Sequence, residues 1–207
     1  MKKLILSILM LATLSANAKD DTKYLAGAVP EVNGIVTFKK SFSVKGKSAQ
    51  EIQEIMQTFV ADMVNKSIPA PGQYARVMEA NADSTVARVC EWLEFKRKPL
   101  YLDRTRMRYQ IKVLTAKERV TIVISNITYY YGEDMEGDKG VIYKAEEWIS
   151  DKEALNKKKT KLYPRSGKFR RKTVDRAEEI FEAAMDAFEE KEEAVPTKKV
   201  RKGIVED

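Results

Sequence analysis

The chain has 207 residues, 38 basic against 31 acidic, a formal net charge of +7, one cysteine and no histidine. The lack of histidine excludes Ser-His-Asp and Cys-His catalysis and histidine-bound zinc, and a lone cysteine excludes an internal disulfide. The positive excess is too modest to be a nucleic-acid signature by itself.

The N-terminus has the layout of a secretory signal peptide. Lys2 and Lys3 precede an apolar run, Leu4–Leu14, and Ala16-Asn17-Ala18 supplies a small-residue cleavage site before Lys19-Asp20-Asp21. The apolar run is about half of the ~20 residues a spanning helix needs. Cleavage after Ala18 is therefore expected, giving an exported protein, periplasmic or extracellular. No other run is long enough for a transmembrane segment. Export also argues against a nucleic-acid partner.

Lys19–Asn33 is a lead-in that closes in a turn at Val32-Asn33-Gly34. Gly34–Val44 reads as the first strand: Val36, Phe38, Phe42 and Val44 share one face, and Lys40 on that face marks an edge. Ser48-Ala49-Gln50-Glu51 is a capping box. It opens a helix whose apolar stripe is Ile52, Ile55, Met56, Phe59, Val60 and Met63. Pro69 and Pro71 bar its continuation. Tyr74–Ala80 reads as a short strand and Thr85–Phe95 as a longer, central one, with apolar residues on both faces. Cys90 lies in that alternation and reads as a buried thiol. Lys96–Pro99 is a basic connection.

Arg104–Tyr131 carries the strongest sheet signal. Met107, Tyr109, Ile111 and Val113 alternate with Arg106, Arg108, Gln110 and Lys112, and a Val-, Ile-, Thr- and Tyr-rich run begins at Arg119. Gly132–Gly140 is an acidic loop, too short and irregular for an EF-hand. Ser150–Glu153 is a second capping-box pattern and predicts a short helix toward Asn156. In Lys157–Lys172, nine of sixteen residues are basic. Thr173–Glu190 predicts a second long helix with the stripe Val174, Ala177, Ile180, Phe181, Ala184, Met185 and Phe188. Residues 191–207 read as a charged, disordered tail.

The order is strand, helix, four strands, helix. It predicts an α+β fold: an antiparallel sheet of about five strands with two long helices on one face. The chain also resembles the secreted bacterial domain-of-unknown-function family with a TATA-binding-protein-like (TBP-like) fold. The resemblance rests on Tyr24–Pro30, Asp103-Arg104-Thr105-Arg106, Glu146-Glu147-Trp148-Ile149 with Asp151, Ala154–Leu162 and Ser166–Thr173. It implies a single TBP-like domain over residues 19–190 and an exported, periplasmic protein of the kind found in gut and oral commensals. It implies no activity or cofactor. The fold name does not carry DNA binding with it, because function belongs to sites.

Three non-enzymatic roles are open. The first is recognition of an anionic envelope component, a lipid or glycan, by Lys157, Lys158, Lys159, Lys161, Arg165, Lys168, Arg170 and Arg171, with the arginines gripping phosphate or carboxylate groups. The second is an apolar-ligand carrier with Trp92, Tyr109, Tyr129, Tyr130, Tyr131 and Phe181 around a pocket, although alternation sends Tyr130 to the opposite face from Tyr129 and Tyr131. The third is a structural subunit that binds an envelope protein. An enzyme is not expected. Glu146, Glu147 and Asp151 are carboxylates near Trp148, and no partner across a cleft is visible for them.

Overall fold

A computed structural model describes residues 20–66, 72–132 and 139–193. The expected signal peptide, Pro69 and Pro71, most of the acidic loop and residues 194–207 lie outside the described residues. The described residues open with a 3₁₀ turn, Thr22–Tyr24, and a hairpin of β1 (Glu31–Val32) and β2 (Ile35–Val36) turning at Asn33-Gly34, both at positive φ. Then come β3 (Phe38–Ser43), α1 (Ala49–Lys66), β4 (Tyr74–Ala80), β5 (Ser84–Lys98), β6 (Tyr101–Ala116), β7 (Arg119–Tyr131) and β8 (Val141–Lys144). A short helix, α2 (Asp151–Ala154), and a long one, α3 (Pro164–Glu193), follow.

The main sheet is antiparallel, in the order β3-β7-β6-β5-β4. Both β3 and β8 lie along one edge of β7: β3 pairs with residues 119–124 and β8 with residues 128–131. The sheet thus has six strands among the described residues rather than the five expected; the added one, β8, is four residues long and too short to show a clear alternation. The expected first strand is divided between β2 and β3, and Lys40 is exposed on an edge strand as anticipated.

Both long helices cover the same face. On α1 the reciprocal capping box forms: the Ser48 N–H donates to the Glu51 carboxylate at 2.8 Å, and the Glu51 N–H donates to Ser48 Oγ at 3.2 Å. Ile52, Ile55, Met56, Phe59 and Val60 are buried against the sheet. Among them sits Gln53, whose Nε2 donates to Asn81 O (2.8 Å) and Thr85 Oγ1 (3.1 Å) and whose Oε1 accepts from Thr115 Oγ1 (2.8 Å). A buried amide is tolerated only when satisfied in this way, and here it pins the helix to two hairpin ends. On α3, Val174, Ala177, Ile180, Phe181, Ala184 and Phe188 are buried as expected, while Met185 is exposed.

The principal departure is where α3 begins. It starts at Pro164, nine residues before Thr173, so half of the expected basic loop is helix. Proline suits the first helical position, where its missing N–H costs nothing. Gly167 is required by packing, since a Cβ there would lie 2.8 Å from Leu162 Cβ. Ser150 precedes α2 without a side-chain capping bond. The neighbouring Asp151 instead accepts from Arg170 Nη2 at 2.6 Å and from the Gly27 N–H at 3.0 Å. Burial raises the Asp151 pKa, but the Arg170 bond, the Gly27 N–H and the nearby cations outweigh it, and the net shift is downward. A depressed folded-state value means that this carboxylate stabilises the fold above its ordinary pKa and stops doing so as pH falls through the folded value. Urea midpoints measured from about pH 5 down to pH 3 should therefore fall more steeply for the wild type than for Asp151→Asn. Parallel curves would rule out Asp151 as a contributor to acid sensitivity.

Candidate ligand-binding face

Strand alternation sorts β6 cleanly. Asp103, Thr105, Met107, Tyr109, Ile111, Val113 and Thr115 are buried beneath the helices, and Arg104, Arg106, Arg108, Gln110 and Lys112 point to the other side. Neither long helix covers that other side. The register places Trp92, Arg106 and Tyr130 in one cross-strand row, Cys90, Arg108 and Thr128 in the next, and Arg88 opposite both Arg76 and Gln110. Six cations from three adjacent strands, Arg76, Arg88, Arg104, Arg106, Arg108 and Lys112, therefore share one face.

Aromatic rings order part of this array. The Arg104 guanidinium lies 3.7 Å from the centroid of Trp92, and that of Arg106 lies 5.7 Å from Trp92 and 5.0 Å from Tyr130. Such stacking fixes the orientation of the two guanidinium groups against the rings. Arg76 and Arg88 are directly opposed, an arrangement that costs stability in a sheet. The buried Nε of Arg108 has no hydrogen-bond partner. Cys90 lies in this face but is buried, with its thiol donating to Gly72 O at 3.3 Å.

Around the edge of β5, beyond the end of its pairing with β4, a groove of about 890 Å³ separates the strand from α3. Trp92 and Arg104 line it, so it adjoins the basic face. On its wall, Glu91 accepts from Tyr109 OH (2.9 Å) and from Arg176 Nε (2.8 Å). Burial first, and the Glu91 charge second, raise the Tyr109 pKa well above its usual value. The α3 side is acidic, with Asp175, Glu178, Glu179 and Glu182. This is a polar, mixed-charge groove and not an apolar pocket.

The basic segment singled out from the sequence does not form one patch. Lys157, Lys158, Lys159 and Lys161 are exposed in a turn organised by Asn156 Oδ1, which accepts from the Thr160 N–H at 2.8 Å. Lys159 comes within 3.6 Å of Asp151. Arg165 is exposed and lies 5.6 Å from the Trp148 ring centroid. The others turn inward. Lys168 donates to both oxygens of Asp103, at 2.7 and 2.9 Å, and to Tyr131 OH. Arg171 makes a two-pronged contact with Asp21, at 2.6 and 2.5 Å. Arg170 is wholly buried and donates to Tyr24 O, Leu25 O, Ile149 O and Asp151. Its donors serve the chain itself, which corrects the expectation that it grips a ligand.

The residues expected around an apolar pocket are likewise separated. Tyr109, Tyr129 and Phe181 are packed in the core, Tyr131 lies at its margin, and Trp92 and Tyr130 are on the opposite face. Of the carboxylates, Glu146 accepts from the Val36 N–H at 2.8 Å, Glu147 lies 3.6 Å from Lys144, and Asp151 holds Arg170. Among the described residues no cluster of His, Cys, Asp and Glu is arranged to hold a metal ion.

The family model described as "Domain of unknown function (DUF4468) with TBP-like fold" matches residues 38–130. Among solved structures, the chain is similar to a DUF4468 family protein from Bacteroides ovatus, with 36% identity, a TM-score of 0.73, and coverage of 87% of this chain and 99% of that one. It is also similar to a TBP-like protein from Parabacteroides distasonis, with 22% identity, a TM-score of 0.60, and coverage of 78% and 97%. At the latter identity the likeness is one of fold. No curated protein matches the chain.

Proposed function

Because the chain belongs to this family of unknown function with a TBP-like fold, whose name supplies an architecture and no chemistry, we propose that it is a non-enzymatic binding domain whose helix-free sheet face takes up an anionic ligand. The observation that carries this reading is the arginine array itself. Six cations are collected on one face, two are opposed at a cost to the sheet, and two are stacked on Trp92 and Tyr130. Charge-assisted contacts from guanidinium to phosphate, sulfate or carboxylate would relieve that repulsion. Export is part of the proposal and rests on the Lys2–Ala18 layout. No helix among the described residues is long and apolar enough to cross a membrane.

Dextran sulfate serves as a polyanion probe. The double variant Arg88→Ala/Arg108→Ala should bind it roughly tenfold or more weakly, the effect of removing charge-assisted hydrogen bonds. Lys157→Ala/Lys158→Ala removes the same charge from the exposed turn and should bind as the wild type does. Equal losses in the two variants would reduce the interaction to net charge and overturn the assignment of the face.

A further inference from the structure

The β5–β6 hairpin extends past the rest of the sheet. β4 pairs with β5 only as far as Cys90, and β7 pairs with β6 only as far as Thr105. Beyond these points Lys96, Arg97 and Lys98 pair only with Asp103, Leu102 and Tyr101. At about 3.4 Å per residue, the ribbon reaches roughly 14 Å past Thr105. Its base is braced by Asp103, which accepts from Lys168 Nζ and from Tyr131 OH at 2.8 Å.

The tip is Lys98-Pro99-Leu100-Tyr101. Proline followed by a residue at positive φ is the type II turn pattern, which calls for glycine or asparagine at the second position. Leu100 occupies that position at φ +63°, with 108% relative exposure. An unbranched-at-Cβ but bulky side chain is thus held in a left-handed conformation, where a Cβ is unfavourable, and no described residue shelters it. Tyr101 beside it is 49% exposed. Lys96 and Lys98 are exposed at the base of the apex, while Arg97 is engaged by Glu94.

We propose that this tip is an interfacial anchor for an anionic bilayer, with Leu100 entering the acyl boundary, Tyr101 at headgroup depth and Lys96 and Lys98 on lipid phosphates. The occupant is chosen by complementarity. A single protruding aliphatic residue, an adjacent tyrosine and flanking lysines match the layering of apolar tails, wet interface and negative headgroups. The anchor is separate from the sheet face and stands or falls independently of it.

The test is sedimentation of the protein with phosphatidylcholine vesicles, with and without phosphatidylglycerol. Leu100→Gly removes the side chain and relieves the turn, so its urea midpoint should equal or exceed that of the wild type. Its partitioning onto phosphatidylglycerol vesicles should fall roughly tenfold, the scale of burying one leucine. Lys96→Glu/Lys98→Glu should bring binding down to the level seen on phosphatidylcholine alone. Equal wild-type partitioning on the two vesicle types would overturn the proposal. So would undiminished binding of Leu100→Gly. Loss of vesicle binding only in Arg88→Ala/Arg108→Ala would place the lipid on the sheet face instead and overturn the anchor.

Discussion

Arg170→Ala should lower stability by about 3–5 kcal/mol, the range for removing one partner of a buried ion pair. Four acceptors depend on this one side chain. Nε donates to Tyr24 O at 2.6 Å, Nη1 to Ile149 O at 2.7 Å, and Nη2 to Leu25 O and Asp151, both at 2.6 Å. Alanine would leave the carboxylate and three carbonyls facing an emptied space. Domains of this size have roughly 5–15 kcal/mol in total, so a large share of the urea midpoint should be lost. Limited proteolysis should cut the variant early in residues 20–30, because Arg170 ties that lead-in to α3. Arg170→Lys should recover only part of the loss, since an ammonium group cannot reproduce the planar fork. A wild-type midpoint in Arg170→Ala would mean that the lead-in is held by other contacts.

Phe169→Ala should cost a similar amount, about 3–5 kcal/mol for a buried phenylalanine, through packing rather than charge. Phe169 is fully buried, with ring centroids 4.5 Å from Phe95, 5.1 Å from Tyr129, 5.2 Å from Tyr131 and 5.8 Å from Trp148. Three of these contacts are edge-on, the geometry favoured by ring quadrupoles. Phe169→Leu should retain most of the volume and lose less. Near-UV circular dichroism should report the alanine variant directly, because four aromatic residues lose their common neighbour. An unchanged near-UV spectrum with a full midpoint would show that the cluster closes around the gap. The two variants should not be additive when combined, since the residues are adjacent and brace the same end of α3.

Much of the frame could be read in the sequence. The α1 capping box, its apolar stripe, the Asn33-Gly34 turn and the alternation in β6 are local patterns, and local patterns survive folding. The beginning of α3 could not be read in this way. Pro164 and Gly167 look like breakers until Leu162 is seen against Gly167. Charge density along the chain points to Lys157–Lys172, where cations are contiguous. The cations of the sheet face alternate with core residues along β6 and are joined by Arg76 and Arg88 from two other strands, so no linear window gathers all six. The alternation separated Arg106 and Arg108 from Met107 and Tyr109, but only the placement of both helices on one side left the arginine side without a long helix over it. The stretches carrying the family resemblance also proved largely structural. Tyr24-Leu25, Gly27, Ile149 and Asp151 meet at one knot around the buried Arg170, which is why their pattern identifies a fold and names no reaction.

The shared edge of β7 has a bearing on solubility. A long, flat outer strand offers unpaired amides and carbonyls as a template for another chain. Here that margin is divided between six-residue β3 and four-residue β8, with Asn126 at φ +55° between their pairing segments. At the opposite margin, β4 is seven residues long and its register shifts between Val77 and Glu79. Among the described residues, the strands β3, β8 and β4 at the two margins are seven residues long or shorter. A protein with three strands of thirteen or more residues at its centre thereby keeps its capacity for strand-to-strand polymerisation in check.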